Sequence, residues 1–326
     1  MSSAIAELVE LGDLDELTRM IHRLCGAGDW DGLVELRDRC RAALQRGKQL
    51  WPAAALAEYR AALEAPGAWA GPMLRTGTGR FALGPLSEVA ASTHRWDELA
   101  PHAPAGPVAT MCAHERVVRG EDLRDRSGID PAVLDLPLAL QPWEPAYPLA
   151  EYKPDGAHFP PPPLPPLRPR SVSAVTGVIQ DRESCEALVE LAVAWTTESN
   201  GRAQAVAVAG DAGAAVAALG PRTVRMAEVS PADALARLAW TGASGGAHGR
   251  RRGMSAGRFA SWWALAAMSG LLECWPVPAA ELGRAAAEIR WYVWDVGEPM
   301  TGWSLRLAAE DRDEGMAWAV SAGDAV

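Results

Sequence analysis

The sequence predicts an α+β to α/β protein, an all-helical N-terminal region followed by a mixed α/β sheet domain with a C-terminal antiparallel hairpin. Three observations carry this. Leu8, Leu11, Leu14, Leu17, Met20, Ile21 and Leu24 fall at helical spacing near the N-terminus. A proline run, FPPPPLPPLRPR over residues 159–170, divides the chain. Beyond residue 171 strand-like and helix-like stretches alternate, and in the last two stretches large apolar residues (Trp303, Leu305, Leu307; Met316, Trp318, Val320) recur at every second position. The expected organisation is a helical array over 1–150, a Pro-rich linker over 151–170 and a mixed α/β domain over 171–326.

The first helices are separated by Gly-Asp pairs. GDLDEL at 12–17 returns as GDWDGL at 28–33, and each pair is expected to end one helix and cap the next. Two imperfect copies are fewer than a solenoid needs, so the region is read only as an array. A further helix over 52–64 starts at Pro52. FALGPLSEVAASTHRWDELAPH and PVATMCAHERVVRGEDL read as helical between Pro and Gly breaks. The pattern dissolves beyond about 128. Residues 159–170 have fixed φ and few backbone donors, which suits an extended polyproline rod, either a stiff spacer or a ligand for an aromatic groove.

In the second half, RSVSAVTGVI is an expected strand and Asp181 an expected helix cap. AQAVAVAG reads as a buried strand, GDAGAAVAAL as a short helix and RTVRMAEVS as a strand. Pro231 and Pro278 sit at first-turn positions of helices. Another helix runs from about Ser255, with Trp262 and Trp263 pointing about 100° apart, one against the sheet and one at a contact. RWYVWDV is a strand. GWSLRLAAED and GMAWAVSAGD form a hairpin across DRDEG. The strand–helix alternation predicts parallel pairing first and antiparallel pairing at the end.

Composition bounds function. The chain has 326 residues and a formal net charge of -10, with a pI near 5.2. Phosphate backbones repel such a chain, so general nucleic-acid binding is not expected. Nearly all basic residues are arginine; Lys48 and Lys153 are the lysines. The five cysteines form no C-x-x-C pair, which argues against a disulfide framework or structural zinc. No metal and no cofactor is expected. The N-terminus lacks the features of a signal peptide, and the most apolar run, FASWWALAAMSGLLECW, is shorter than the roughly 18 to 20 residues of a membrane span. A cytoplasmic protein without membrane contact is the expectation.

GASGGAHGRRRG…GRFASWWALAAMSGL and the terminal TGWSLRLAAED…GMAWAVSAGD resemble stretches of an uncharacterised protein family of GC-rich bacteria, a domain of unknown function. The resemblance centres on residues 200–326. It implies ancestry and carries no activity and no residue role.

The run TGASGGAHGRRRGMSAGRF, residues 241–259, is the main candidate site. Gly246 and Gly249, with Gly245 and Gly253, permit positive φ and close approach to a ligand. Arg250, Arg251 and Arg252 offer planar forks for carboxylate or phosphate. The following helix brings N–H groups, Arg258 extends the wall, and His248 is a hydrogen-bond donor or acid–base group. A tight Gly-flanked turn is expected to converge Arg250 and Arg252. The alternative is a solvated loop whose arginines pair with acidic neighbours.

Other signals are weaker. VAVAGDAGAAVAAL followed by Glu228 imitates a dinucleotide fingerprint but lacks the G-x-G core. MCAHER places Cys112 and His114 two apart, where helical side chains diverge. DRDEG lacks the ligand register of an EF-hand. Two functions remain open. One is a non-catalytic binding module that recognises an anionic ligand or acidic protein partner through the Arg/Gly loop. The other is an enzyme on an anionic small molecule, with an arginine clamp and His248 as acid–base group. Oligomeric state is not legible.

Overall fold

Two aspartates start the first long helices. α1 spans Ser2–Leu11, α2 Leu14–Ala27 and α3 Trp30–Ala43. Asp13 Oδ1 accepts from the N–H groups of Asp15 and Glu16, and Asp29 Oδ1 from that of Gly32. Each bond satisfies a donor that a helix start leaves unpaired. Gly28, at φ 66°, ends α2 in the left-handed conformation that glycine adopts without strain. The Gly-Asp echo is therefore a stop-and-start signal.

The computed structural model describes residues 2–172, 177–298 and 302–325. These form two units, one of Met1–Val133 with Ala150–Phe159 and one of Leu134–Leu149 with Pro160–Val326. The first unit continues with α4 (Trp51–Glu64), α5 (Gly67–Ala70), α6 (Leu86–Thr93), α7 (Trp96–Leu99) and α8 (Pro107–Val118). α2 and α3 bury Leu17, Ile21, Leu24, Leu33 and Leu36. α4 is buried on most sides, so its alanines pack where larger side chains would not fit. A hairpin, β1 (Glu151–Lys153) and β2 (Gly156–His158), completes this unit. It is held by Tyr59, whose hydroxyl donates to Lys153 O at 2.5 Å, and by Tyr152, whose hydroxyl donates to Glu88 Oε2 at 2.6 Å. Three-residue strands carry too little alternation to be seen in sequence.

The second unit holds β3 (Arg168–Ser171), β4 (Val178–Ile179), α9 (Arg182–Glu190), α10 (Val193–Thr197), β5 (Arg202–Ala209), α11 (Ala212–Ala218), β6 (Thr223–Val229), α12 (Pro231–Ala243), α13 (Met254–Met268), α14 (Ala279–Glu288), β7 (Arg290–Asp295), β8 (Trp303–Asp311) and β9 (Met316–Asp324). Part of the expected strand RSVSAVTGVI, residues 173–176, lies outside the described residues. The strands form one sheet in the order β3-β6-β7-β8-β9-β5-β4.

Every neighbouring pair in this sheet is antiparallel among the described residues, which corrects the expected parallel pairing. The correction has a simple geometry. β5 and β6 do run in the same direction, as a strand–helix–strand crossover requires. Three strands, β7, β8 and β9, are inserted between them. Local alternation encodes the direction of β5 and β6 but not what is later threaded between them.

The sheet has two unlike faces. On one, Val206, Val208, Ala308, Ala317, Ala319, Tyr292, Trp294, Val224 and Met226 pack against α11. On the other, Trp318 Nε1 donates to Asp181 at the start of α9, and Trp303 meets Trp240 of α12 edge to face at 6.2 Å. Several helices cover that second face, while among the described residues α11 alone, a helix of 7 residues, lies on the first.

Candidate functional site

α11 covers only half of its face, and the sequence of each central strand changes where the cover stops. β5 reads Val208 and Val206 under the helix, then Gln204 and Arg202 beyond it. β8 reads Ala308, then Arg306 and Ser304. β9 reads Ala317 and Ala319, then Ser321 and Gly323. Side chains two apart share a face, so these six residues form a polar patch in two rows. Arg202, Gly323 and Ser304 are opposite one another in the first row. Gln204, Ser321 and Arg306 are opposite in the second. The patch floors a cavity of about 860 Å³ that Asn200, Glu298 and Asp324 also line.

A half-exposed sheet face is normally polar, so polarity alone says little. The arginines say more. Two arginines of the neighbouring central strands have carboxylates, Arg225 with Asp295 at 2.6 Å and Arg290 with Glu228, as does Arg312 in the β8–β9 turn, with Glu310 at 2.8 Å. Among the described residues the side chains of Arg202 and Arg306 form neither an ion pair nor a hydrogen bond, although Arg306 is near enough to Asp295 to be felt by its carboxyl. The Arg306 guanidinium lies over the Trp294 ring, 5.6 Å from its centroid, which fixes the fork while leaving its edge donors available.

The Arg/Gly run is a folded hook that follows α12 on the opposite face of the sheet and is tied to it through Asp324. Gly246 has φ 71°. A Cβ on Gly245 or Gly249 would strike the carbonyl oxygen of the other, so both glycines are needed for the close approach of the backbone to itself. Ala247 N–H donates to Asp324 Oδ2 at 2.6 Å, and Arg250 N–H to Glu198 Oε2 at 2.8 Å. Gly246 N–H donates to Ser244 Oγ at 3.0 Å and Arg252 N–H to Ala243 O at 2.8 Å. The backbone cradle thus holds two carboxylates of its own chain. His248, Arg250 and Arg252 are exposed and Arg251 is half-buried. None of the four lines the cavity at the strand ends.

Arg258 lies elsewhere. It is fully buried on α13. Its Nε and Nη2 donate to the two oxygens of Glu144, at 2.7 and 2.8 Å, and its remaining donors reach Pro137 O and Ala139 O. Trp262 Nε1 donates to the same carboxylate at 3.1 Å, and the Trp262 ring packs on Trp143. Arg258 anchors the irregular 134–149 segment inside its unit and is not part of the hook's outer surface. Trp263 joins Phe259 and Trp275 in a half-buried aromatic cluster.

The lesser signals resolve structurally. Asp211 caps α11 through Ala214 N–H, and Glu228 pairs with Arg290, so the dinucleotide-like stretch is a tight turn. Cys112 is fully buried, and burial pushes its thiol far above the ordinary range, which removes it as a nucleophile. Asp311 Oδ1 accepts from Asp313 and Glu314 N–H, closing the DRDEG turn. Among the described residues, no group of three or more His, Cys, Asp or Glu side chains is placed to hold a metal ion. None of the described helices is long and apolar enough to cross a membrane.

Arg202, Gln204, Ser304, Arg306 and Ser321 escape a motif search because they lie on three separate strands. The signal that marks them is a change from apolar to polar at every second residue within each strand.

The class so defined is an α+β protein with a helical unit and an antiparallel sheet left half open on one face. A family model described as "Family of unknown function (DUF6183)" matches residues 15–325, and the chain belongs to that family. No curated protein and no solved structure matches it.

Proposed function

We propose that this protein is a non-catalytic binding module that recognises an anionic ligand or an acidic protein partner. The recognition surface is the open half of the sheet, centred on Arg202 and Arg306. One observation carries the reading. In a chain of net charge -10, two arginines line a concave patch and neither makes an ion pair among the described residues. Forty-one acidic residues are available to a chain with 31 basic ones, so leaving guanidinium groups unpaired in a hollow is not forced by composition.

The hook is not a phosphate-binding loop. Its backbone donors already hold Asp324 and Glu198, so it offers no free N–H cradle. Arg250 and Arg252 are the arginines that reach solvent. Glu298 lines the cavity with the opposite charge and limits affinity for anions. An enzymatic role for His248 would need that ring beside the cavity arginines, and it stands outside the cavity wall.

The test is a thermal-shift screen of the intact protein against polyglutamate, inorganic phosphate, pyrophosphate and dicarboxylates. A ligand that binds only the native state raises the melting temperature by mass action. The reading expects at least one anion to do so. It expects the Arg202→Ala, Arg306→Ala double variant to lose about tenfold or more in affinity, and Glu298→Gln to gain. Anion binding that survives the double variant unchanged would overturn the proposal.

A further inference from the structure

Resting on the reading above, we infer that the occupant of the open sheet face is an extended peptide with two acidic residues four positions apart. The register sets the spacing. Arg202 begins the first row and Arg306 ends the second, so the two arginines occupy opposite corners of the patch. Neighbouring strands are about 4.8 Å apart and residues two apart on a strand about 6.8 Å, which places the two Cα atoms about 12 Å apart on the diagonal. Arg306 is drawn outward onto the Trp294 ring, so the guanidinium groups do not collapse onto one point. A single carboxylate or phosphate therefore meets one arginine only. Two anionic groups are needed to engage both.

An extended chain fits that diagonal. Its side chains at i, i+2 and i+4 point the same way, and the outer two are separated by about 13.6 Å. Acidic side chains at i and i+4 then meet the two arginines. The residue at i+2 lies over the middle of the patch, where Ser321 offers a hydroxyl and Gly323 has no side chain. A helical peptide brings its i and i+4 side chains to about 5–6 Å and does not span the corners. The chain's charge of -10 disfavours a nucleic-acid strand. The cavity of about 860 Å³ is an open hollow on a sheet, whereas a small-molecule pocket encloses most of its ligand.

Gly323 supplies a control that leaves every charge in place. Among the described residues a Cβ there would meet only the Trp303 carbonyl oxygen, at 3.8 Å, so a side chain is accommodated and raises the floor.

The experiment is calorimetry on the full chain with blocked Thr/Ser-rich peptides. They carry one glutamate, or two glutamates separated by two, three or four positions. The inference expects the four-position peptide to bind about tenfold or more tightly than the others, since only it makes the second charged contact. Gly323→Val should abolish that preference while the far-UV spectrum and melting transition stay as in the parent. Equal binding of all the two-glutamate peptides, or an unchanged preference in Gly323→Val, would overturn the inference. So would a rigid small dicarboxylate that binds as tightly as the four-position peptide. If spacing has no effect but Arg202→Ala, Arg306→Ala still removes polyglutamate binding, only this inference fails. If polyglutamate binding is itself absent or indifferent to the arginines, the underlying reading fails with it.

Discussion

Asp324 Oδ2 accepts the backbone N–H of Ala247 at 2.6 Å, tying the last strand to the Arg/Gly hook. The same carboxylate accepts from Ser199 Oγ at 3.1 Å through its other oxygen. It is 3% exposed. A buried carboxylate with charge-assisted bonds at both oxygens is a clamp. Asp324→Ala should leave the Ala247 donor unpaired, cost about 1 to 3 kcal/mol and loosen the hook. Limited trypsin digestion followed by mass spectrometry would then show faster cleavage after Arg250 and Arg252. Asp324→Asn, which keeps an acceptor, should cleave more slowly than the alanine variant. Equal cleavage of parent and Asp324→Ala would show that the hook is held by something else.

The Arg258–Glu144 pair should be the costliest polar contact to break. Both side chains are fully buried. Glu144→Ala leaves a guanidinium in the interior without its counter-charge, with an expected loss of about 3 to 5 kcal/mol in urea unfolding. Replacing both partners with apolar residues of similar volume should cost less than either single change. If the single variants unfold at the parental midpoint, the pair is not buried as described.

Much of this architecture is readable in the residues. The Gly-Asp echo gives two helix boundaries because caps are local chemistry. The alternation in 303–311 and 316–324 gives the terminal hairpin because period two is local geometry. The sheet order is not local. Nothing within 202–229 signals that β7, β8 and β9 separate β5 from β6. Arg258 illustrates the same limit. Its neighbours in sequence make it one more arginine of a basic loop, while its partner Glu144 is 114 positions away. The glycines were legible as sites of close approach, but the approaching group is the hook's own backbone. The polar patch needed the register of three strands before its two rows could be drawn.

Thiol chemistry should follow burial. Burial pushes the Cys40 thiol up to about 12 and those of Cys25 and Cys185 up to about 11. Cys112 is buried and Cys274 is exposed. A thiolate is the reactive form, so Ellman's reagent at pH 8 should modify Cys274 rapidly in the native protein and the other four slowly. Cys274→Ser should remove the fast phase. A fast phase that persists in that variant would place another thiol at the surface.

Acid stability should depend in part on Asp295. The hydrogen-bonded Arg225 guanidinium holds its carboxyl below the usual carboxylate range, against the opposing effect of burial. A carboxyl lowered by folding contributes stability that is fully present above its unfolded value of about 3.9 and is lost as pH falls through the lower folded value. Arg225→Ala should therefore destabilise the protein at pH 7 and lessen the fall in stability below about pH 4. Urea midpoints measured from pH 7 down to pH 3 would check this. Parallel curves for parent and variant would contradict it.

The central claim is that the open sheet face, and not the hook's backbone, meets the anion. Amide chemical-shift mapping of the deuterated protein during a polyglutamate titration tests it most directly. The account predicts that the largest changes fall on Arg202, Gln204, Ser304, Arg306, Ser321 and Gly323, while the Ala247 and Arg250 amides, held by Asp324 and Glu198, move little. Changes concentrated on residues 246–252 with a silent sheet face would contradict it.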